Sequence, residues 1–227
     1  MFNDKKFLAI IPARAGSKRL TDKNILPIKE KPLISWSIEA SINSSYINTT
    51  VVTSDSSEIL KIAKKYEVKS IQRPEELSRD ESSTIDVVLH VLEEIKDDFD
   101  YIILLQPTSP LRTYKHINEA VELFIEKEAD AVISVSEMEH SPLWSNTLDD
   151  TLNMEGFLDT DILNKRSQNL PSYYRLNGAI YICNIKKLLK EKTFFLKRNI
   201  YAYKMERKDS IDIDEEIDFR IAELLFE

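Results

Sequence analysis

The sequence predicts an α/β fold in which helices flank a mainly parallel sheet. Short apolar runs alternate with amphipathic stretches from residue 7 onward. This alternation is typical of βαβ units, in which a helix returns the chain between neighbouring parallel strands. A length of 227 residues suits one such domain, so we predict a single Rossmann-like domain over residues 1–227.

The first predicted strand is the continuous apolar run from Phe7 to Ile11, because strands in parallel sheets are buried on both faces. Pro32 is expected to open the first helix, since proline suits the first helical position. Further strands are predicted at residues 50–53, 70–71, 101–105, 131–135, 179–183 and 201–205. Further helices are predicted at residues 56–66, 84–96, 116–128, 185–190 and 215–225.

The regular alternation fails between residues 138 and 177, and we interpret this segment as a small inserted lobe. Long stretches without clear helices are uncommon within compact domains and are often functional or form interfaces. The lobe carries large apolar side chains that one domain has no evident means of burying, namely Leu143, Trp144, Phe157 and Leu158. We therefore expect the lobe to form a two-fold dimer contact, which makes the protein a homodimer.

Composition excludes several classes of protein. The net charge of −8 argues against a general nucleic-acid binder, because such proteins neutralise phosphates with excess Lys and Arg. No apolar run approaches the ~18 residues of a membrane helix, and the N-terminus does not resemble a signal peptide. Cys183, the only cysteine, falls in a predicted buried strand. We expect a cytoplasmic protein without membrane or nucleic-acid partners.

The loop after the first strand concentrates positive charge in an acidic protein. Arg14, Lys18, Arg19 and Lys23 follow one another closely, and Gly16 and Ser17 let the backbone pass near phosphate oxygens. Ligands of open parallel sheets bind at the carboxyl ends of strands, where this loop falls. The pattern therefore predicts a triphosphate-binding loop, although a solvated basic loop has the same composition.

Two further segments end predicted strands with polar side chains. Gln106 begins a proline-rich turn and can donate and accept hydrogen bonds in the plane of a base edge; a rigid structural turn is the alternative. Asp212 and Asp214 alternate along an extended segment, so both should point to one side. Paired carboxylates suit Mg²⁺, whereas the other interpretation makes Asp214 the cap of the last helix.

Two arginines flank the return from the lobe to the sheet. Arg166 and Arg175 suit recognition of a carboxylate, which a guanidinium holds with paired hydrogen bonds. Surface salt bridges are the common alternative for any single arginine. His90, His116 and His140 are scattered and form no evident catalytic triad with serine or cysteine.

Six segments, in order, together resemble the CMP-N-acylneuraminate cytidylyltransferases. They are IIPARAGSKRLTDKN, RPEELSRD, LLQPTSPLR, RSQNLP, YRLNGAIYI and SIDID. The resemblance implies a Rossmann-like fold with a dimerisation lobe, a requirement for Mg²⁺, and transfer of CMP from CTP to the anomeric hydroxyl of a nine-carbon acidic sugar. Many family members have glycine where this chain has Arg19, so the turn of the basic loop is expected to differ.

The resemblance also implies roles for individual residues. Nucleotide binding falls to Arg14, Gly16, Ser17, Lys18, Lys23, Asn24, Arg73 and Ser83. Sugar binding falls to Gln106, Arg166, Arg175, Asn177 and Tyr181. The catalytic set comprises Arg14, Lys23, Asp212 and Asp214, of which the two aspartates are the metal ligands.

Other substrates and other functions remain compatible with the sequence. Legionaminate or pseudaminate share the C1 carboxylate of sialic acid and differ in substituents that the lobe would recognise. Kdo cytidylyltransferases share the chemistry, but their N-terminal loop typically differs from ARAGSK. A non-catalytic nucleotide-binding module on the same fold is the alternative from another class, although the retained Asp212 and Asp214 speak against it.

Overall fold

The computed structural model describes residues 5–16, 19–79 and 81–226, and its centre is a seven-stranded sheet. The strands are β1 (Phe7–Pro12), β2 (Pro27–Ile28), β3 (Lys31–Pro32), β4 (Ile47–Ser54), β5 (Lys69–Gln72), β6 (Tyr101–Leu104), β7 (Ala131–Glu137), β8 (Tyr174–Asn184) and β9 (Ile200–Met205). The helices are α1 (Leu33–Ile42), α2 (Ser57–Lys65), α3 (Thr84–Glu94), α4 (Tyr114–Glu126), α5 (Ile185–Glu191) and α6 (Glu216–Leu225).

The strand order in the main sheet is β5-β4-β1-β6-β8-β7-β9, and β2 and β3 form a separate two-stranded ribbon. Strand β8 is antiparallel to both of its neighbours, while the other pairings within the main sheet are parallel. The predicted mainly parallel sheet flanked by helices is therefore confirmed. The carboxyl ends of the parallel strands share one edge, which is where the loops predicted to carry the site emerge.

Helices cover both faces of the sheet, as continuous apolar strands require. Phe7, Ala9 and Ile11 pack in one core cluster that includes residues of α1, α2 and α4. Leu8 and Ile10 point the other way, into a cluster that includes residues of α3 and α5. Side chains thus alternate along β1 between two buried layers, and the strand holds no polar position facing water.

A third, smaller cluster attaches the C-terminal helix to the start of the chain. Ile213 is fully buried there with Leu33 at the start of α1, and Trp36 and Phe226 pack at its margin with their rings 4.3 Å apart. This packing brings the segment before α6 beside the N-terminal loop, although the two are separated by about the whole length of the chain.

The segment predicted to form the lobe is largely irregular in the structure. Residues 138–173 contain two short 3₁₀ turns, Pro142–Trp144 and Ser167–Asn169, and otherwise irregular backbone. Strand β8 begins at Tyr174, so the last four residues of the predicted lobe belong to the sheet. None of the helices in the described ranges is long and apolar enough to span a membrane.

Strand β8 contains a bulge opposite β7. Ile133 pairs with Tyr181 but Val135 pairs with Leu176, so β8 carries extra residues between these two pairs. Gly178 lies in this bulge with φ of +74°, a conformation that side chains other than glycine adopt only with strain. Because β8 is antiparallel to β6 and β7, its N-terminal part lies at the carboxyl edge of the parallel strands.

Candidate active site

A cleft of about 470 Å³ opens at the carboxyl edge of the parallel strands. Its walls come from the loop after β1, the segment after β5, the start of α3, the turn after β6 and the segment before α6. Lining residues include Arg14, Arg19, Leu20, Lys23, Asn24, Arg73, Leu77, Arg79, Ser82, Thr84, Gln106, Pro107, Thr108 and Asp214.

The cleft is basic although the whole chain is acidic. Five cationic side chains line it, from Arg14, Arg19, Lys23, Arg73 and Arg79, while Asp214 is the carboxylate among the described lining residues. Concentrated positive charge in a concave site attracts anionic ligands. The predicted Ser17 and Lys18 contacts lie outside the described residues.

Local contacts hold the basic loop in shape. The Asn24 amide is buried and donates to the Arg14 carbonyl over 2.9 Å. Asp55, directly after β4, accepts a 2.9 Å hydrogen bond from the Ala15 backbone N–H. Gly16 is exposed, with no atoms within 4 Å of the position of a Cβ, and its backbone is not left-handed. Its backbone is therefore accessible to a ligand without a strained turn.

Lys23 joins the basic loop to the aspartate segment. Its ammonium group is largely buried and donates to the Ile213 carbonyl and, over 3.0 Å, to Asp214 Oδ1. Arg19 Nη1 lies 3.2 Å from Asp214 Oδ2, so Asp214 is paired with two cations. Arg19, the departure from the family pattern, therefore faces a predicted metal ligand across the loop.

Asp212 and Asp214 flank the buried Ile213 and are close enough for the charge of Asp214 to act on Asp212. Burial raises the pKa of Asp212, and the nearby Asp214 charge raises it further, whereas Thr108, Lys23 and Arg175 act in the opposite direction. Asp212 Oδ1 is buried without a hydrogen-bond partner among the described residues.

Asp214 is not the cap of the last helix. The N-cap of α6 is Glu215, which forms a capping box with Asp218, and Asp218 Oδ2 accepts from the backbone N–H groups of Asp214 and Glu215 at 3.0 and 2.8 Å. The carboxylate of Asp214 is thus left to face the cleft, which removes the structural alternative for this residue.

The carboxylates of Asp212 and Asp214 suit Mg²⁺, and one oxygen of Asp212 has no other partner among the described residues. Mg²⁺ is usually held by one or two carboxylates together with substrate phosphates. Within residues 5–16, 19–79 and 81–226, no group of three or more His, Cys, Asp or Glu side chains forms a metal cage. Any Mg²⁺ held by Asp212 and Asp214 would therefore take its remaining ligands from substrate and water.

Arg73 lies deep in the cleft wall. Its backbone N–H donates to Ser54 O over 2.8 Å and its Nη2 donates to Thr53 O over 2.9 Å. Burial lowers the pKa of Arg73 to about 10, an effect that Asp55 opposes and Arg14 reinforces. Arg73 therefore remains cationic at neutral pH.

Ser83 is the N-cap of α3, and its hydroxyl accepts from the Asp86 backbone N–H and donates to the Asp86 carboxylate. It lies between Ser82 and Thr84, which both line the cleft.

A second hollow, of about 220 Å³, adjoins the cleft and shares Thr84 and Gln106 with it. Three of its nine described lining residues are aromatic, and Tyr181 packs edge-on against Phe194 and Phe195 with ring centroids 5.7 and 6.3 Å apart. Burial raises the pKa of the Tyr181 hydroxyl, as does the charge of Asp212. Gln106 thus stands between a basic cleft and an aromatic hollow.

The structure separates the remaining predicted sugar contacts. Arg175 is exposed and donates to Ser210 O over 3.3 Å, on the side of the aspartate segment. Arg166 is exposed within the lobe and does not line the cleft of its own chain.

Asn177 does not offer its side chain to a ligand. It is 1% exposed, and its amide donates to Ser210 Oγ over 2.9 Å and accepts from Ser134 Oγ over 2.6 Å. Asn177 instead holds β8 against β7 and the aspartate segment. The direct sugar contact expected at this residue stays a prediction, while in the described structure its polar atoms already have buried protein partners.

Sequence reasoning missed three residues that shape the site. Asp55 was indicated only by its place at the end of β4, and Phe194 and Phe195 only by an aromatic pair in a loop after α5. Their importance depends on contacts between distant parts of the chain.

Comparison with known proteins identifies the family. A family profile described as "Cytidylyltransferase" matches residues 8–225. The chain is 39% identical over 218 residues to an N-acylneuraminate cytidylyltransferase of Escherichia coli O18:K1:H7, covering 96% of this chain and 51% of that protein. It spans about half the length of this and the similar Streptococcus agalactiae relatives.

Shorter relatives match along their full length. The CMP-N,N'-diacetyllegionaminic acid synthase of Legionella pneumophila is 37% identical over 229 residues, with 98% of this chain and 97% of that protein covered. The pseudaminic acid cytidylyltransferase of Campylobacter jejuni is 33% identical over 225 residues, with 97% and 96% covered.

Solved structures agree on the fold. A CMP:2-keto-3-deoxy-manno-octonic acid synthetase complexed with CTP superposes with a TM-score of 0.73 at 17% identity, covering 97% of this chain and 98% of that one. Given the profile match and the relatives above 30% identity, this chain belongs to the cytidylyltransferase family.

Proposed function

We propose that this chain transfers CMP from CTP to the anomeric hydroxyl of a nonulosonic acid and releases pyrophosphate, with N-acylneuraminate as the preferred sugar. One observation carries the proposal: in an acidic protein, a basic cleft is lined by Asp214, and the mostly buried Asp212 lies close to it. The names of the relatives support it, since those of the E. coli, Legionella and Campylobacter proteins refer to N-acylneuraminate, legionaminic acid and pseudaminic acid.

The proposed reaction is an in-line displacement at the α-phosphorus of CTP. The anomeric oxygen of the sugar forms a bond to this phosphorus and loses its proton, while the bond to the β-phosphate oxygen breaks and pyrophosphate leaves. Positioning and charge neutralisation supply most of the catalysis in such transfers. Arg14, Arg19 and Lys23 line the cleft where the triphosphate charge would be neutralised.

Asp212 and Asp214 would hold Mg²⁺, and the ion would neutralise charge on the phosphates when bound. In the described structure Arg19 and Lys23 occupy the oxygens of Asp214. The Arg19–Asp214 pair has both side chains exposed and is therefore easily exchanged for other partners, whereas the largely buried Lys23 is also held by the Ile213 carbonyl. We infer that Arg19 moves to phosphate oxygens when CTP and Mg²⁺ bind, while Lys23 stays at the junction.

The sugar would extend from the cleft into the aromatic hollow. Gln106 stands at the junction of the two, and Tyr181, Phe194 and Phe195 offer an apolar wall suited to a methyl-bearing substituent of the sugar. Arg175, beside the aspartate segment, is our candidate for the sugar carboxylate. Arg166 would reach a sugar pocket only across a dimer contact, since it does not line the cleft of its own chain.

Legionaminate and pseudaminate remain alternative sugars within this proposal, and a non-catalytic nucleotide-binding module is the alternative to it. The freedom of Asp214 from helix capping favours the catalytic interpretation. We place the reaction in the cytoplasm, where CTP is available.

A panel of sugars tests the function. We expect pyrophosphate release from CTP and Mg²⁺ when N-acylneuraminate is added, and less with legionaminate, pseudaminate or Kdo.

Asp214→Asn should lower kcat by roughly 10²–10³, the usual cost of removing one electrostatic stabiliser, with little change in unfolding temperature. Asp97→Asn, another carboxylate paired with a lysine but far from the cleft, serves as the matched control. Absence of release with every sugar would refute the proposal, and wild-type turnover of the Asp214 variant would refute the role of this residue.

A pair of glycine substitutions tests the placement of Gln106. A Cβ at position 178 would lie 2.4 Å from Gln106 Oε1, whereas one at position 156 meets nothing within 4 Å. Both glycines have positive φ, +74° and +68°, so both alanine variants carry similar backbone strain of about 1–2 kcal/mol. Gly178→Ala should therefore raise the sugar KM and lower kcat by displacing Gln106, while Gly156→Ala should keep wild-type kinetics. Equal kinetics in the two variants would contradict the proposed role of Gln106.

The lobe provides a test of the dimer. Leu143, Trp144, Phe157 and Leu158 are half-buried, and other apolar side chains in the lobe are more exposed, namely Leu148, Leu152, Met154 and Leu163. We expect light scattering to give the mass of a dimer at concentrations where the enzyme is active. Leu152→Asp and Leu163→Asp together should shift the mass toward the monomer, because a charge at a dimer core is costly. A monomeric, fully active wild type would refute the dimer.

A further inference from the structure

Arg112 is the most deeply buried cation among the described residues, and no ion pair accounts for it. The residue is 1% exposed, and in the described part of the chain no carboxylate forms an ion pair with it. Burial lowers the pKa of Arg112 to about 9, so the guanidinium still carries its charge at neutral pH. An uncompensated buried charge costs several kcal/mol, and apolar residues of similar volume often replace buried charges without loss of stability.

The partners of Arg112 are parts of the site rather than of the core. Nη1 donates to the Ala179 carbonyl over 3.3 Å, directly after the bulge glycine, Gly178. Nη2 donates to Ser37 Oγ on α1, and this hydroxyl in turn donates to the Gln106 carbonyl over 3.4 Å. One buried group therefore links the bulge in β8 to the backbone of Gln106.

The two linked segments meet in the cleft with little space between them. Gln106 Oε1 lies so close to Gly178 that a Cβ there would be 2.4 Å away, and Asp212 Oδ2 would be 3.4 Å from the same Cβ. A small shift of either backbone would therefore move the Gln106 amide relative to the aspartate segment. Misplacement of about 1 Å can cost roughly 10²-fold in rate.

We propose that Arg112 is a positioning residue that, through Ser37 and the Ala179 carbonyl, fixes Gln106 against the bulge on the sugar side of the cleft. The kinetic consequences of this inference rest on the proposed function, whereas the contacts through which Arg112 positions Gln106 do not depend on it. Arg112 acts from behind the site and touches no substrate. Its contribution is thus separate from that of the cations that line the cleft.

Four variants test the proposal. Arg112→Met removes the donors and fills the space, and Arg112→Lys keeps the charge but reaches fewer acceptors. Ser37→Ala breaks only the link to Gln106. Ser41→Ala is the matched control, because Ser41 is an equally buried serine one turn further along α1 whose hydroxyl bonds Thr50 at 2.7 Å, away from the site.

We expect Arg112→Met to unfold within roughly 4 °C of wild type, or above it, because an uncompensated charge has been removed. Its kcat/KM for the sugar should fall about 10- to 100-fold, with CTP KM unchanged. Arg112→Lys should recover part of this loss, Ser37→Ala should show a smaller fall in the same parameter, and Ser41→Ala should match wild type.

Hydrogen exchange measures the positioning without turnover. Peptides containing residues 106–109 and 178–180 should exchange faster in Arg112→Met than in wild type, with Ser41→Ala unchanged. If wild type releases no pyrophosphate with any sugar, the proposed function fails and this exchange alone decides the role of Arg112. Unchanged hydrogen exchange in Arg112→Met would overturn the proposal. An equal fall in kcat/KM for CTP and for the sugar, together with a lowered unfolding temperature, would also overturn it, because general destabilisation produces that result.

Discussion

The site depends on one buried lysine. Lys23 lies near the start of the chain, and its ammonium group contacts Ile213 O and Asp214 near the end. Lysine is almost never fully buried unless it is paired, so this contact holds both segments in place. The cluster around Ile213 and Leu33 encloses the same junction with apolar side chains. The basic loop and the aspartate segment are therefore held together by both the Lys23 contact and the apolar cluster around Ile213.

Features with local periodicity were predictable from the sequence. Strand β1 and its neighbours are buried on both faces, and continuous apolar runs carry that information directly. The alternation around Asp212 and Asp214 predicted that the residue between them faces the core, and Ile213 is fully buried. Helix starts were close to their predicted positions because side-chain caps such as Ser56 and Ser83 mark them.

Features that depend on distant contacts were not predictable. Asn177 stands in a motif that resembles a sugar pocket, yet Ser134 and Ser210 from other strands and loops bury it. The pairing of β8 with β7 extends the sheet into the predicted lobe, which no local pattern indicated. Arg112 ends the segment LLQPTSPLR, and only tertiary packing makes it the buried link between Gln106 and Ala179.

The most direct test of the proposed site is calorimetric titration of CTP with Mg²⁺ into wild type, Lys23→Ala and Lys31→Ala. Lys31 is also paired with a carboxylate, Glu39 at 2.8 Å, but lies outside the cleft, so it controls for loss of a paired lysine. We predict saturable CTP binding to wild type, at least about tenfold weaker binding to Lys23→Ala, equivalent to about 1.4 kcal/mol, and wild-type binding to Lys31→Ala. Absence of CTP binding to wild type, or equal affinity in all three proteins, would contradict the assignment of this cleft to the nucleotide.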